Sequence, residues 1–323
     1  MRAVQAKAAG GRDVLEVVEV DRPEPAEGQI LIRHEAIGLN FIDVYQRSGL
    51  YPMTYPARLG VEAAGVVEAV SAGVKRFKKG DKVAYAGGSS GAYAEFATIA
   101  ADRAVHVPKG VSTEMAAACL LKGMTVEFLL RRTFHVKQGQ TILVHAAAGG
   151  VGSIMTQWAH ALGATVIGAV GSEEKVKIAK SQGCDHVIRY DTDDVAARVK
   201  ELTGGVGVPV VYDSVGKATF EASLNSLAKR GMLVTFGNAS GPAPAIEPLR
   251  LSRGGSLFLT RPTLFDYIVT TQELDESAGA LFDVLSKGKV KVEIGQRFPL
   301  ADAAKAQEAL ETRKTTGSTI LVP

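Results

Sequence analysis

The chain has 323 residues, 46% apolar and 6% aromatic, with 35 glycines and a formal net charge of +3. That length suits about two domains of ~100–200 residues with sizeable cores, and the glycine-rich, aromatic-poor balance suits an α/β protein with many tight strand–helix turns. The near-neutral charge without a basic block gives no reason to expect nucleic acid as a partner, and no uninterrupted apolar run reaches the ~18–20 residues that span a bilayer.

Residues 1–110 read as β-rich and loop-rich. The opening Met1-Arg2-Ala3-Val4-Gln5 has no apolar signal core. Residues 29–33 form a short alternating strand. Residues 65–70, a turn at 71–73 and residues 81–85 fit the strands of a small antiparallel barrel. Prolines 23, 25, 52, 56 and 108 punctuate loops. Beyond Pro108 the pattern changes, and residues 114–132 are apolar at helical spacing. Strands at 141–146, 165–170, 186–189, 208–213, 231–236 and 256–260 then alternate with helices at 153–162, 173–182, 193–203 and 220–227. Six strands separated by helices imply a doubly wound parallel sheet, helices on both faces and right-handed crossovers. The tail carries helices at 274–285 and 301–312 and a last strand at 318–322, expected to return to the first domain. Two widely separated cysteines, Cys119 and Cys184, support neither a disulfide framework nor a Cys-rich metal site. The expectation is a soluble, cytoplasmic α/β protein.

The most informative segment is Thr141-Ile-Leu-Val-His-Ala-Ala-Ala-Gly-Gly-Val-Gly152. A buried strand runs into a glycine-rich turn and then a helix starting near Gly152. Ala147-x-Gly149-x-x-Gly152 is the dinucleotide-binding fingerprint with alanine in its first slot. Small residues let the backbone turn tightly and let a pyrophosphate approach the helix N-terminus, where free N–H groups and the dipole favour an anion. An acid that holds the ribose hydroxyls of NAD is expected about 20 residues beyond the glycines. Here Ala169-Val-Gly-Ser172 occupies that place, with no carboxylate at the strand end. Glu173 and Glu174 fall in the first turn of the next helix, where they suit the dipole and can face solvent. Lys175 follows, and Arg189-Tyr190 end the third strand. This pattern favours NADPH, with Lys175 and Tyr190 as ligands of the 2′-phosphate. The alternative is that Lys175 is an ordinary solvated helix lysine.

Several motifs occur together and in order: Asn40-Phe-Ile-Asp-Val-Tyr-Gln-Arg-Ser-Gly49, Gly60-Val-Glu-Ala-Ala-Gly65, Leu121-Lys-Gly-Met-Thr125, His145-Ala-Ala-Ala-Gly-Gly-Val-Gly152, Tyr212-Asp-Ser-Val-Gly216 and Phe236-Gly-Asn238. With these, nearly the whole chain resembles the zinc-free quinone oxidoreductases of the medium-chain dehydrogenase/reductase superfamily, the group that includes zeta-crystallin, and is especially similar to bacterial NADPH:quinone reductases. The resemblance implies a GroES-like, barrel-like catalytic domain (1–122, with 261–323 returning to it), a Rossmann NADPH-binding domain (123–260), an active site in the cleft and a homodimer. By position it implies cofactor contacts from Phe41, Ile42, Asp43, Thr125, Phe128, Ala147, Gly149, Gly150, Val151, Gly152, Gly171, Ser172, Lys175, Tyr190, Ser214, Phe236, Gly237, Asn238 and Ala239. Arg261 and the Thr312-Arg313 region are further candidates. Asn40, Tyr45 and Tyr51 are implied on the quinone side.

Zinc alcohol dehydrogenases of that superfamily carry Gly-His-Glu where this chain has Gly60-Val61-Glu62, and their catalytic cysteine lies in the stretch that reads Asn40-Phe-Ile-Asp43 here. Catalytic zinc needs roughly three Cys, His or carboxylate ligands. The six histidines, at 34, 106, 135, 145, 160 and 186, show no paired ligand spacing. The expected metal content is therefore none. In a quinone the charge arriving with hydride spreads into the ring, so hydrogen-bond donors suffice, and Tyr45, Tyr51 and Asn40 can supply them, with the proton coming from water. Blander readings stand beside these roles. Asn40 can cap the following helix, Tyr45 can fill core, and Asp43 can pair with Arg47 four residues on. Glu62 can hold local structure, and His145 can pack under the turn. An acceptor of the α,β-unsaturated ketone or aldehyde type is the alternative substrate, and a non-catalytic NADPH-binding role, crystallin-like or RNA-binding, is the third reading.

Overall fold

The computed structural model describes residues 1–87 and 91–323. The chain divides into two compact units. One comprises Met1–Lys122, Ile268–Phe282 and Val292–Pro323, and the other Gly123–Tyr267 and Asp283–Lys291. The second boundary therefore falls after Tyr267, not at 260, and residues 283–291 belong with the sheet unit. Gln157 accounts for part of that attachment: its side chain donates to Lys291 O at 3.0 Å and accepts from Lys291 N–H at 2.8 Å.

The first unit is β-rich. Arg2–Ala6 is flanked by Leu15–Glu19 and Ala57–Arg58 in a small antiparallel sheet. A seven-stranded sheet runs Ile294–Pro299, Ser318–Val322, Gln29–Gly38, Glu62–Val70, Lys82–Ala86, Ala104–His106, with Phe96–Ala100 also pairing with Gln29–Gly38. The strand expected at 29–33 is ten residues long because its bulges between Leu31 and Ile32 and between His34 and Ala36 keep its apolar side chains on the core face. Ile30, Ile32, Ile37, Leu59, Val67, Tyr85, Tyr93 and Leu321 fill that core. The last strand sets Ile320 opposite Gly38 and Leu321 opposite Ile37.

The second unit is a six-stranded parallel sheet in the order His186–Arg189, Thr165–Val170, Thr141–His145, Val208–Asp213, Leu227–Thr235, Phe258–Thr260. Runs such as Val166-Ile167 and Val210-Val211 are fully buried, as expected where helices cover both faces. The order reverses at Thr141–His145, and ligands of such sheets bind beyond the strand ends at that switch point.

Two sequence expectations shift, and two elements had no sequence expectation. The apolar stretch 114–132 is a helix, Thr113–Phe128, followed by a π-helical turn, Leu129–Thr133, whose Leu129 carbonyl accepts from the Tyr212 hydroxyl at 3.1 Å. The helix expected at 220–227 stops at Asn225. Leu227 starts a strand opposite Val208, and Lys200 Nζ bonds the Leu227 carbonyl at 2.9 Å. The helix Pro248–Arg253 and the strand Ile294–Pro299 gave no clear sequence signal.

Candidate active site

In the sheet unit the chain leaves Thr141–His145 through Ala146, at φ 52°, and the helix begins at Gly150, two residues before its expected start. Gly149 N–H donates to Ala146 O at 2.9 Å, and Ala147 N–H to Ala169 O at 3.2 Å. A Cβ on Gly152 would stand 2.2 Å from Ala146 O and 2.8 Å from Ala147 Cα, so only glycine lets the turn pack on the helix. The N–H groups of residues 150–152 lie in a first turn, where an α-helix offers no internal acceptor and the dipole is positive. Ala147, expected as a contact, is fully buried: it makes room for the turn and presents no surface to a ligand.

The ribose end follows Thr165–Val170. Gly171 is pressed against Tyr190, whose hydroxyl would sit 2.2 Å from an added Cβ, and Tyr190 N–H donates to Val170 O at 3.0 Å. Gly171, Ser172 and Tyr190 are thus together, and Lys175 stands half-buried in the first turn of Glu173–Ser181. Glu173 is not merely solvated, because it pairs with Arg189 at 3.0 Å, while Asp191 takes the same guanidinium at 2.7 Å. These hydrogen bonds, Asp191's first, raise the already basic Arg189.

Ser214 meets the stretch containing Phe236, Gly237, Asn238 and Ala239: a Cβ on Gly237 would lie 2.3 Å from Ser214 O, and Phe236 N–H donates to Asp213 O at 2.8 Å. Beneath this loop is a network the sequence reading missed. Asp213, fully buried, accepts from Val215 N–H at 2.8 Å, Gly216 N–H at 3.0 Å, Thr219 on both oxygens and Ser223 at 2.7 Å. Ser223 Oγ lies 3.0 Å from His145 Nε2. Burial lowers the His145 pKa, so the ring is neutral, in keeping with a residue packed under the turn. Thr219 and Ser223, four apart on one helical face, were the available signal. Thr125 is half-buried, Phe128 is 1% exposed and stacks on Tyr267 at 4.4 Å, and Arg261 is exposed just after Phe258–Thr260. Phe128 therefore backs the wall and does not face a ligand.

In the β-rich unit the helix Phe41–Ser48 carries the aromatic candidates. Tyr45 and Tyr51 meet edge to face at 5.2 Å, Phe41 lies 6.0 Å from Tyr45, and Tyr51 N–H donates to Tyr45 O at 3.0 Å. Phe41, Ile42 and Tyr51 are half-buried, and Tyr45 is 8% exposed. Asp43 departs from expectation. It is fully buried, so it cannot touch a cofactor, and it bonds Asn40 N–H and the Tyr93 hydroxyl, each at 2.9 Å. Nor does it pair with Arg47, which binds Gln307 at 2.7 Å and Glu311 at 2.8 Å. Burial pushes the Asp43 carboxyl up to about 7, against the pull of these hydrogen bonds and of Lys122. Its farther partner, Tyr93, lies 50 residues away in sequence, which no local pattern reveals. Asn40 also differs from its expected role as a donor, since its amide Nδ2 is bonded to Glu62 Oε2 at 2.7 Å and Gly38 O at 3.4 Å.

Among the described residues no group of three His, Cys, Asp or Glu side chains is placed to hold a metal ion. Val61 is buried beside Glu62, where a zinc dehydrogenase would need an imidazole. The donor set at this place is one carboxylate, already saturated by Asn40, Leu121 N–H and Lys122, and it does not fit zinc.

A dinucleotide-binding sheet and a β-rich unit with a tyrosine-bearing helix define an oxidoreductase of the medium-chain dehydrogenase/reductase type. The family described as "Alcohol dehydrogenase GroES-like domain" matches residues 26–109, and "Zinc-binding dehydrogenase" matches residues 150–283. The chain is 51% identical to a Quinone oxidoreductase of Pseudomonas aeruginosa over 323 residues, covering 100% of this chain and 99% of that one. The solved Escherichia coli quinone oxidoreductase complexed with NADPH superimposes with a TM-score of 0.98 at 47% identity, covering both chains fully. A 2-haloacrylate reductase from Burkholderia sp is 44% identical, over 97% of this chain and 96% of that one. The chain belongs to the quinone oxidoreductase family of this superfamily.

Proposed function

We propose that the chain catalyses the NADPH-dependent reduction of quinones by hydride transfer without zinc. The observation that carries this reading is the anion-ready helix start at residues 150–152, followed by a ribose end that lacks a strand-end carboxylate and holds Lys175 and Tyr190. The relative solved with NADPH supports the cofactor, and the relatives' names support the acceptor. Bound here, the nicotinamide supplies a hydride from its C4 position. The first-turn N–H groups hold the pyrophosphate, and Lys175 with Tyr190 hold the 2′-phosphate. Ser214 and the stretch from Phe236 to Ala239 shape the pocket. The Tyr45 and Tyr51 rings stack on a planar acceptor, and their hydroxyls polarise its oxygen. Charge delocalised into a quinone ring needs no Lewis acid, which suits a site with Val61 in the ligand position.

NADPH oxidation measured against 1,4-benzoquinone, 9,10-phenanthrenequinone and a simple enone tests the reading. Quinone turnover is expected. Turnover with the enone alone supports the second reading, reduction of an α,β-unsaturated acceptor, which the haloacrylate-reducing relative favours. No turnover with any acceptor overturns both. Stoichiometric zinc in active protein overturns the zinc-free mechanism. For the cofactor, Lys175→Ala should weaken NADPH about tenfold more than NADH, the loss of one charge-assisted contact. Equal losses would remove Lys175 from the phosphate site.

The same reading includes a cytoplasmic homodimer. No helix among the described residues is long and apolar enough to cross a membrane. Among the described residues Phe258–Thr260 closes one end of the parallel sheet with a neighbour on one side only, and Phe258 is 56% exposed. An unpaired edge with an exposed aromatic side chain is a site for pairing with a second copy. Light scattering should give twice the 34.0 kDa chain mass, and Phe258→Asp should give the single mass.

A further inference from the structure

Glu62 is a buried carboxylate that hydride transfer, as described, does not use. It opens the strand Glu62–Val70 and is fully buried. Its Oε2 accepts from Asn40 Nδ2 at 2.7 Å and Lys122 Nζ at 3.5 Å, and its Oε1 accepts from Leu121 N–H at 2.7 Å. Gly38 leaves the room, since a Cβ there would stand 2.3 Å from Oε2. The nearby ammonium of Lys122 compensates the buried charge. An ionised carboxylate can only accept hydrogen bonds. The Asn40 group facing it is therefore the NH2, and that group's other contact is Gly38 O at 3.4 Å. Both donors of Asn40 are committed, and its Oδ1 turns to the start of the helix, where it faces the Asp43 N–H of a capping box and keeps one lone pair for a second donor.

We propose that Glu62 is a positioning residue of the quinone-reducing site: it holds the Asn40 amide so that position 40 presents an accepting oxygen at the head of the helix that carries Tyr45. This rests on the functional reading above. An accepting oxygen there takes an O–H or N–H donor. Two groups of the reaction offer one: the hydroquinone hydroxyl, once it has gained its proton, and the carboxamide of the nicotinamide.

Glu62→Gln tests the polarity of this contact. A glutamine can serve the Leu121 N–H only by pointing its oxygen there, which leaves its NH2 facing the NH2 of Asn40 and forces that amide to turn over. Turnover with 1,4-benzoquinone should fall roughly tenfold or more, as for other small misplacements of a reacting constellation. Asn40→Asp should fall as far, because two carboxylates then meet. The double variant Asn40→Asp/Glu62→Gln exchanges carboxylate and amide, restores an accepting oxygen at position 40, and should recover most of the loss. A rise in quinone KM or a loss of kcat at unchanged NADPH affinity assigns the donor to the hydroquinone. A weakened NADPH Kd assigns it to the carboxamide.

The wild-type protein supplies a readout that needs no variant of Glu62. With asparagine labelled by ¹⁵N, and the Asn40 pair identified by its loss in Asn40→Ser, one side-chain amide proton should lie downfield from its bond to a carboxylate. An ordinary Asn40 amide shift overturns the proposal. So does unchanged quinone turnover in Glu62→Gln, or a double variant no better than the two single ones. If the wild type turns over no quinone at all, the functional reading fails, while the amide shift still decides how Glu62 holds Asn40.

Discussion

Asp213 in the sheet unit and Asp43 in the β-rich unit are both fully buried carboxylates, and the difference lies in what faces their oxygens. Asp213 takes donors on both, from Val215 and Gly216 N–H and from the hydroxyls of Thr219 and Ser223. Asp43 has two donors on Oδ2, from Asn40 N–H and Tyr93, and no partner for Oδ1. Burial alone disfavours a carboxylate, and donors to the charged form restore it. The half-satisfied Asp43 is pushed up to about 7. Asp213 instead acts as a structural acceptor that ties the turn before Ser214 to the helix behind it. A buried acid can thus fix a loop in one unit and titrate near neutrality in the other, according to the number and placement of its donors.

The largest effect should come from breaking the satisfied case. Asp213→Ala leaves two backbone N–H groups and two hydroxyls without their acceptor in a dry interior. The expected cost is about 3–4 kcal/mol in urea-induced unfolding, together with loosened dinucleotide binding because residues 214–216 lose their tie. A loss under 1 kcal/mol would show that the network does not hold the loop.

The half-satisfied case is read through pH. In the folded protein Asp43 binds a proton up to about 7, whereas in the unfolded chain it releases that proton near its ordinary 3.8. Between those values the native state holds more protons, so this group's contribution to stability is present below about pH 4 and is lost as pH rises towards 7. From pH 5 to 7 that is about 2 kcal/mol. His34 works in the opposite sense. Its burial lowers the ring to about 4 despite a bond to Ala94 O, so it destabilises the fold as pH falls from 6.5. His145, also lowered by burial, adds to that trend. Asp43→Asn removes only the Asp43 contribution. The difference in unfolding free energy between variant and wild type should therefore change by about 2 kcal/mol across pH 5–7, and a flat difference would place the Asp43 titration elsewhere.

The same contrast explains what the sequence revealed. The strands Thr165–Val170 and Val208–Asp213 were legible residue for residue because a doubly covered parallel strand is a local apolar run closed by turn residues. The turn at residues 146–152 was legible because its chemistry needs small residues at fixed spacing. The surroundings of Asp43 were not. Tyr93 reaches Asp43 from 50 residues away, with Gln307 behind it at 3.5 Å from the Tyr93 hydroxyl, and i,i+4 spacing pointed to an Asp43–Arg47 pair that does not form because Arg47 turns to Gln307 and Glu311. Asn40 was legible as a polar residue ahead of a helix, but its hydrogen-bonding polarity depends on Glu62, a residue 22 positions on.

The smallest effect sharpens the comparison by removing one donor from the satisfied carboxylate. The Ser223 hydroxyl has a single hydrogen. At 2.7 Å from Asp213 Oδ2 it donates there, because an ionised carboxylate can only accept. Toward His145, at 3.0 Å, the same oxygen must then accept, which fixes the neutral ring with its proton on Nε2 and leaves the buried Nδ1 without a partner. Ser223→Ala strips Asp213 of one donor but leaves it Val215, Gly216 and Thr219, and it orphans one imidazole N–H. The cost should be about 1 kcal/mol, well below that of Asp213→Ala. Imidazole ¹⁵N shifts should show the Nε2–H tautomer in the wild type. If the two variants cost the same, the donors of Asp213 act as one indivisible unit and its stability does not come from their number. If Ser223→Ala costs nothing, the His145 N–H finds another acceptor, and the network ends at Ser223.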